Sequence, residues 1–133
     1  MELQELTIVI VTYKSEEKIA NCLSSIPDRI PVIVVENSTN ENFKKKIENN
    51  FNNVICVLSG ENYGYAVANN IGLKLAKTKY ALILNPDTIL DKNVIINFFA
   101  SINKNQDFWL MGPGNDQMVN VDFKNNNLKE VNS

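Results

Sequence analysis

The chain contains no histidine, which excludes Ser/His and Cys/His nucleophilic catalysis and the common zinc-ligand patterns. Any chemistry it supports therefore falls to carboxylates, amides, hydroxyls or a hard metal ion. Cysteine is nearly as scarce. Of the two present, Cys22 lies on an apolar helical stripe and Cys56 inside an apolar run, so both read as small buried hydrophobes and as neither a disulfide nor a metal pair. A reducing compartment fits. Neither sign of charge is in excess: 13 Lys and Arg stand against 15 Asp and Glu, a formal net charge of -2. That balance lacks the electrostatic footprint of a nucleic-acid partner. The one basic run, Lys44-Lys45-Lys46, reads as a solvated helix face. No apolar stretch is long enough to cross a bilayer, and Met1-Glu2-Leu3-Gln4-Glu5 is acidic where a signal peptide is basic. The expectation is a cytoplasmic protein, with a peripheral place at the inner membrane face as the alternative. No internal repeat or interdomain linker stands out.

What is present is an alternation of apolar runs and helical periods within 133 residues, the size of one ordinary domain. Leu6–Val11 is a nearly continuous β-branched run. Ser15 then stands where a helix cap is expected, with Glu16 and Glu17 in the first turn and Ile19, Cys22, Leu23 and Ile26 at helical spacing. Pro27 and Pro31 punctuate the link to a strand over Val32–Val35. Asn40 opens a helix with Phe43, Ile47 and Phe51 on one face. Val54–Leu58 reads as a third strand, about 65–77 as a helix and Tyr80–Leu84 as a fourth strand. A further helix starts near Lys92 with Val94, Ile95, Phe98, Phe99 and Ile102 along its buried side, and Phe108–Met111 reads as a strand. Uninterrupted apolar strands joined by amphipathic helices predict an α/β fold with a mainly parallel sheet covered on both faces. The expected core spans 1–113. The tail, 114–133, is poor in large apolar residues and rich in Asn and Lys, which predicts an edge strand or disorder.

Two segments carry the chemistry. Asn62-Tyr63-Gly64-Tyr65-Ala66-Val67-Ala68-Asn69-Asn70-Ile71-Gly72 is a small-residue helix start, where a backbone can approach a ligand and unpaired N–H groups favour a phosphate. Leu84-Asn85-Pro86-Asp87-Thr88 places a carboxylate just past the carboxyl end of a strand, where ligands bind in open α/β sheets. Each has a bland counterpart. Ala66, Ala68 and Gly72 also suit close packing of helix on sheet, and Asn-Pro-Asp-Thr also suits a turn capping the next helix.

Together with Val11-Thr12-Tyr13-Lys14 after the first strand and Val35-Glu36-Asn37-Ser38 after the second, these segments resemble the family 2 glycosyltransferases. That family has the Rossmann-like GT-A fold. The resemblance covers roughly the first four-fifths of the chain, and several short motifs in the family's order are far more specific than any one alone. It is nearest in kind to transferases of bacterial surface polysaccharides such as rhamnosyltransferases, and it implies the N-terminal, nucleotide-sugar-binding part of the fold, cut before the acceptor half. The excess of Asn, Lys and Ile would suit a bacterium.

The resemblance implies roles for residues that spacing alone would leave as strand ends and turns. Thr12 and Tyr13 flank the base, Tyr13 offering a stacking face. Glu36 stands where the family has Asp, the carboxylate that accepts a hydrogen bond from the ring N–H of uracil or thymine, with Asn37 and Ser38 beside it. Asn62, Gly64, Tyr65, Ala66 and Asn69 take the diphosphate side. Asn85, Pro86 and Asp87 match the family's Asp-x-Asp motif with its first carboxylate replaced by an amide. Asn85 can still hydrogen-bond a ribose, and Asp87 becomes the ligand of Mg²⁺ or Mn²⁺.

The implied reaction is inverting displacement at the anomeric carbon of a UDP- or dTDP-linked sugar, with a saccharide or lipid-linked acceptor. Family members take their base from a region beyond this sequence, and Asp107, Asp116 and Asp122 do not match its motif, so no catalytic base is assigned. The alternative is a catalytically incomplete nucleotide-binding module or pseudoenzyme that needs a partner for the acceptor. A homodimer is compatible with either reading. A nucleotidyltransferase would carry a glycine-rich loop with Arg and Lys after strand one, and Thr12-Tyr13-Lys14-Ser15 is no such loop.

Overall fold

The computed structural model of the protein describes residues 5–104, 110–113, 118–122 and 127–131. Contacts divide the chain into two compact units, with the boundary between Leu90 and Asp91. The division thus falls well ahead of residue 113.

The first unit holds β1 (Leu6–Thr12), α1 (Glu16–Ser24), β2 (Val32–Glu36), α2 (Glu41–Asn50), β3 (Val54–Leu58), α3 (Tyr65–Leu75) and β4 (Tyr80–Leu84). Its four strands form a parallel sheet in the order β3-β2-β1-β4. All seven residues of β1 and all five of β2 are buried, so both faces of the central strands are covered, as expected of strands that read as unbroken apolar runs. The outer strands β3 and β4 are only partly buried. From β1 the chain steps outward through β2 to β3, then crosses back to place β4 on the other side of β1. This creates a switch point between β1 and β4, the place where open α/β sheets leave a crevice at their carboxyl edge.

Two local devices fix the sheet. Helix α3 lies so close that a Cβ on Gly72 would stand 2.4 Å from Val9 Cγ1 and 3.2 Å from Val35 Cγ2, while Ala68 is buried among Val11, Ile33 and Val35. Gly72 and Ala68 therefore serve packing. At the edge strand, Glu48 accepts from the Cys56 N–H at 2.9 Å, and Lys44 Nζ donates to Cys56 O at 2.7 Å and pairs with Glu48 at 2.9 Å. The side chains of α2 thus satisfy backbone groups that an edge strand would leave open. Lys44 is a strand clamp and not part of a solvated face. Lys45 and Lys46 are exposed.

Helix starts follow the expected residues with one difference. Asn40 caps α2 through its side chain, which accepts from Phe43 N–H at 3.0 Å. Ser15 occupies the cap position of α1, but its hydroxyl turns back to Tyr13 O at 3.3 Å and makes no cap bond.

The second unit contains α4 (Lys92–Lys104), β5 (Leu110–Pro113), β6 (Met118–Asp122) and β7 (Asn127–Val131). Asp91 opens α4, its carboxylate accepting from Asn93 N–H at 2.8 Å. Ile95, Phe98 and Phe99 are buried as the period predicts, whereas Val94 is 48% exposed and off that face. β5, β6 and β7 pair antiparallel in sequence order. Only four residues separate each strand from the next, a length that joins antiparallel strands and is too short for a parallel crossover. Of the strand expected over Phe108–Met111, Leu110 and Met111 lie in β5, which pairs with β6 and not with the parallel sheet. The segment 114–133, for which an edge strand or disorder was expected, supplies two strands, β6 and β7. Phe108 and Asp107 lie outside the described residues, as does Asp116.

Candidate functional site

The carboxyl ends of the parallel strands bring most of the expected residues to one edge of the first unit. Register places Thr12 beside Glu36 and Glu36 beside Leu58. Glu36 is 3% exposed, so a solvent-facing strand end is ruled out. Thr12 Oγ1 donates to Glu36 Oε1 at 3.1 Å, and Ser38 Oγ donates to Oε2. A carboxylate has about four lone-pair sites, so the two hydroxyls hold Glu36 in place without exhausting it. A cleft of about 330 Å³ opens above it, lined by Tyr13, Lys14, Glu36, Ser38 and Asn40 among others. Tyr13 is 44% exposed there, with Lys14 Nζ 5.2 Å from its ring centroid. Lys14 was not singled out from the sequence. Its signal is conformational: it alone among described non-glycine residues has positive φ, at 55°, and the turn aims its cation over the ring.

Asn37 has a different part from the one expected. It is 2% exposed, and its Nδ2 donates to Gly64 O at 3.1 Å and to Asn62 Oδ1 at 3.4 Å, while Oδ1 lies 2.9 Å from Ser59 Oγ, whose single proton it shares with Glu61 O at 2.6 Å. Asn37 therefore ties the end of β2 to the start of α3. Ser59 completes this hub, and nothing in local sequence marks it. Ser38 likewise spends its hydroxyl proton on Glu36.

At the start of α3, Gly64 takes φ 86°, ψ 171°, a conformation that penalises a side chain. Its own N–H is capped by Asn62 Oδ1 at 3.1 Å, so Gly64 N–H is not a free donor. The helix ladder begins with Ala68 N–H to Gly64 O, and the amides of Tyr65, Ala66 and Val67 are those that a helix start leaves open. Tyr65 and Ala66 are exposed, as is Asn70. Asn69 is 5% exposed, and its Oδ1 is buried without a hydrogen-bond partner. A buried orphan acceptor is uncommon and costs about 1–3 kcal/mol. Asn69 lies four residues from Tyr65 on the same helix face, and Tyr65 Oη donates to Asn85 Oδ1 at 3.2 Å.

The segment after β4 is exposed at Asn85 and Asp87, half-buried at Pro86 and Thr88, and buried again at Leu90. A turn closes it through Thr88 N–H to Asn85 O at 3.1 Å. The Asp87 carboxylate accepts no hydrogen bond from another described residue, yet it lies close enough to Cys22 to influence that thiol. Burial first, and then the Asp87 charge, push the Cys22 thiol up to about 11. No group of three or more His, Cys, Asp and Glu gathers among the described residues, so a closed protein cage for a metal is not built here. Mg²⁺ and Mn²⁺ fit a different pattern, one or two carboxylates with substrate phosphates and retained waters. An exposed, unspent Asp87 beside a helix start matches that donor set. No described helix is long and apolar enough to cross a membrane.

Comparison with known proteins gives the family and the fold. The family model described as "Glycosyl transferase family 2" matches residues 7–130. Among curated proteins, the low-salt glycan biosynthesis hexosyltransferase Agl10 of Haloferax volcanii is 30% identical, over 84% of this chain and 36% of its own. The teichoic acid poly(glycerol phosphate) polymerase of Staphylococcus epidermidis is 29% identical, over 76% of this chain and 15% of its own. The poly-beta-1,6-N-acetyl-D-glucosamine synthase of Staphylococcus aureus is 31% identical, over 69% and 24%. The chain thus spans about a third or less of the length of these relatives. Crystal structures of S. aureus TarS residues 1–349 share the fold: one with TM-score 0.66 at 22% identity covers 77% of this chain and 33% of that one, and one in complex with UDP has TM-score 0.63.

Proposed function

This chain belongs to glycosyl transferase family 2, and from that membership we propose that it is the donor-binding part of an inverting glycosyltransferase. It binds a nucleotide-diphospho-sugar, UDP- or dTDP-linked, with Mg²⁺ or Mn²⁺, for transfer to a saccharide or lipid-linked acceptor. Surface-polysaccharide or glycan synthesis is the setting that the names of the relatives support.

What supports this reading most is the meeting, at one carboxyl edge, of the Tyr13–Glu36 cleft, the open start of α3 and the exposed carboxylate of Asp87. Tyr13 offers its ring to the base, and Lys14 adds a cation at the rim. Glu36, fixed by Thr12 and Ser38, keeps lone pairs to accept the ring N–H of a pyrimidine. Glu is one methylene longer than the family's Asp, and the hydrogen bonds from Thr12 and Ser38 determine where that length goes. Asn37 and Asn62 hold the α3 start so that its open amides face an anion. Asn85, oriented by Tyr65, is the amide for a ribose hydroxyl. Asp87 would hold the ion, whose chemistry when bound is to neutralise charge developing on the leaving diphosphate. No residue of this chain is assigned as the base.

Calorimetry with UDP, dTDP and GDP, each with and without Mn²⁺, tests the reading. Pyrimidine diphosphates are expected to bind more tightly than GDP, with an affinity that rises on adding Mn²⁺. Equal affinity for all three, unaffected by Mn²⁺, would contradict it.

A further inference from the structure

Among the described residues no side-chain hydrogen bond joins the end of α1 to Glu36 or to the start of α3, yet this helix end grips both ends of the segment that carries Asp87. Cys22 Sγ–H donates to Asn85 O at 3.7 Å. Three residues on, Ser25 Oγ accepts from Leu90 N–H at 2.9 Å. The roles at Ser25 are fixed, because its hydroxyl proton is committed to Cys22 O at 2.6 Å, which leaves a lone pair for the Leu90 amide. Ser25 is itself the C-cap of α1, its N–H bonded to Asn21 O and Cys22 O, so the grip is part of the helix end and not a wandering side chain. Cys22 is fully buried and Leu90 nearly so. Between the two anchors, Asp87 and Ile89 are exposed. The only other side-chain tie to this segment among the described residues is Tyr65 Oη, which holds the side chain of Asn85 and not the backbone.

We infer that Cys22 and Ser25 are positioning residues: they mount the 85–90 segment on α1 and thereby hold Asp87 where it meets the metal and diphosphate. The inference rests on the metal role proposed for Asp87. A carboxylate that must meet a small ion demanding near-ideal geometry gains from a loop ordered in advance. Neither residue touches the ligand, so their effect should fall on the metal-dependent share of binding and spare the base site.

The test compares the parent protein with Ser25→Ala, Cys22→Ala, the double variant and Ser25→Thr. Three quantities are read: UDP affinity without metal, UDP affinity with Mn²⁺, and amide hydrogen exchange at Leu90. Expected in the double variant are faster exchange at Leu90, metal-free affinity within about twofold of the parent, and an Mn²⁺ enhancement lowered about fivefold, the change that loss of one hydrogen bond of ordinary net worth produces. Ser25→Thr, which keeps the hydroxyl, should retain the enhancement. An enhancement present in the parent and untouched in the double variant overturns the mount while leaving the proposed function intact. Equal losses with and without metal also overturn it, since they mark a merely structural role. A parent that binds UDP with no Mn²⁺ enhancement overturns the metal role of Asp87, and this inference with it. Should Cys22→Ala fail to fold, Ser25→Ala, at a half-buried position, carries the same comparison.

Discussion

The two walls of the site are built in opposite ways. On the β1–β2 side, Thr12, Glu36 and Asn37 are buried and bonded to one another or to the α3 start. On the β4 side, Asn85 and Asp87 are exposed and are steadied by hydrogen bonds from α1 and Tyr65. The contrast is one of what a ligand must supply. On the proposed reading, a base entering beside Glu36 would meet groups already oriented, so little ordering would remain to be done. At Asp87 the protein presents a single unspent carboxylate, and the remaining partners of an ion must come from the diphosphate and water. The first wall is therefore coupled to folding stability, and the second mainly to ligand affinity.

That distinction can be broken by substitution. Glu36→Ala should have the largest effect on stability, about 1.5–3 kcal/mol by urea unfolding, because it removes the charged acceptor of two hydroxyls in a buried setting. It should weaken UDP binding as well. Gly72→Ala should cost about 1–3 kcal/mol, since its Cβ would meet Val9 at 2.4 Å and the helix must lift from the sheet; thermal unfolding measures it. Asn37→Ala should cost about 1–3 kcal/mol and weaken UDP binding, because two ordinary hydrogen bonds from its Nδ2 to the start of α3 are lost, while Gly64 O keeps the Ala68 N–H and Ser59 Oγ keeps Glu61 O. If Asn37→Ala changed neither stability nor binding, the coupling of the first wall to the fold would be refuted. Asp87→Asn, at an exposed position, should leave stability within about 0.5 kcal/mol.

The smallest effect lies away from both walls. The hydrogen bond from Cys56 N–H, with lesser help from Lys44 and against a desolvation penalty, holds the Glu48 carboxyl below its ordinary 4.5. Folding lowers that value, so the clamp on β3 adds stability above pH 4.5 and loses it as the pH falls through the lowered value. Glu48→Gln should lower stability slightly at neutral pH, where the ionised clamp contributes, and converge on the parent below the lowered value, so that the acid sensitivity of unfolding is reduced.

The elements of the parallel unit could be read from the sequence because each announces itself locally. β1, β2 and β4 are apolar runs, and α2 and α3 begin at residues suited to a helix start. The helical period of α4 gave Ile95 and Phe98 correctly but included Val94, which a window of apolar residues does not separate from its neighbours. The grouping of β5, β6 and β7 was missed because strands of four or five residues are too short for apolar alternation to stand out in an Asn- and Lys-rich tail. In the site, Glu36 and Asp87 could be picked out as carboxylates at strand ends. The hub at Asn37 could not, since its bonds to Asn62 and Gly64 span 25 and 27 residues and leave no periodic trace. The same is true of Cys22 and Ser25, whose partners lie 63 and 65 residues away.

The central claim is that Asp87 joins a divalent ion to a nucleotide diphosphate while the Glu36 wall holds the base. It is tested most directly by UDP titration of the parent and of Asp87→Ala, with and without Mn²⁺. The account predicts tighter binding with Mn²⁺ in the parent, by about tenfold or more, and one metal-independent affinity in the variant, equal to that of the metal-free parent. An Mn²⁺ enhancement that survives in Asp87→Ala would contradict it.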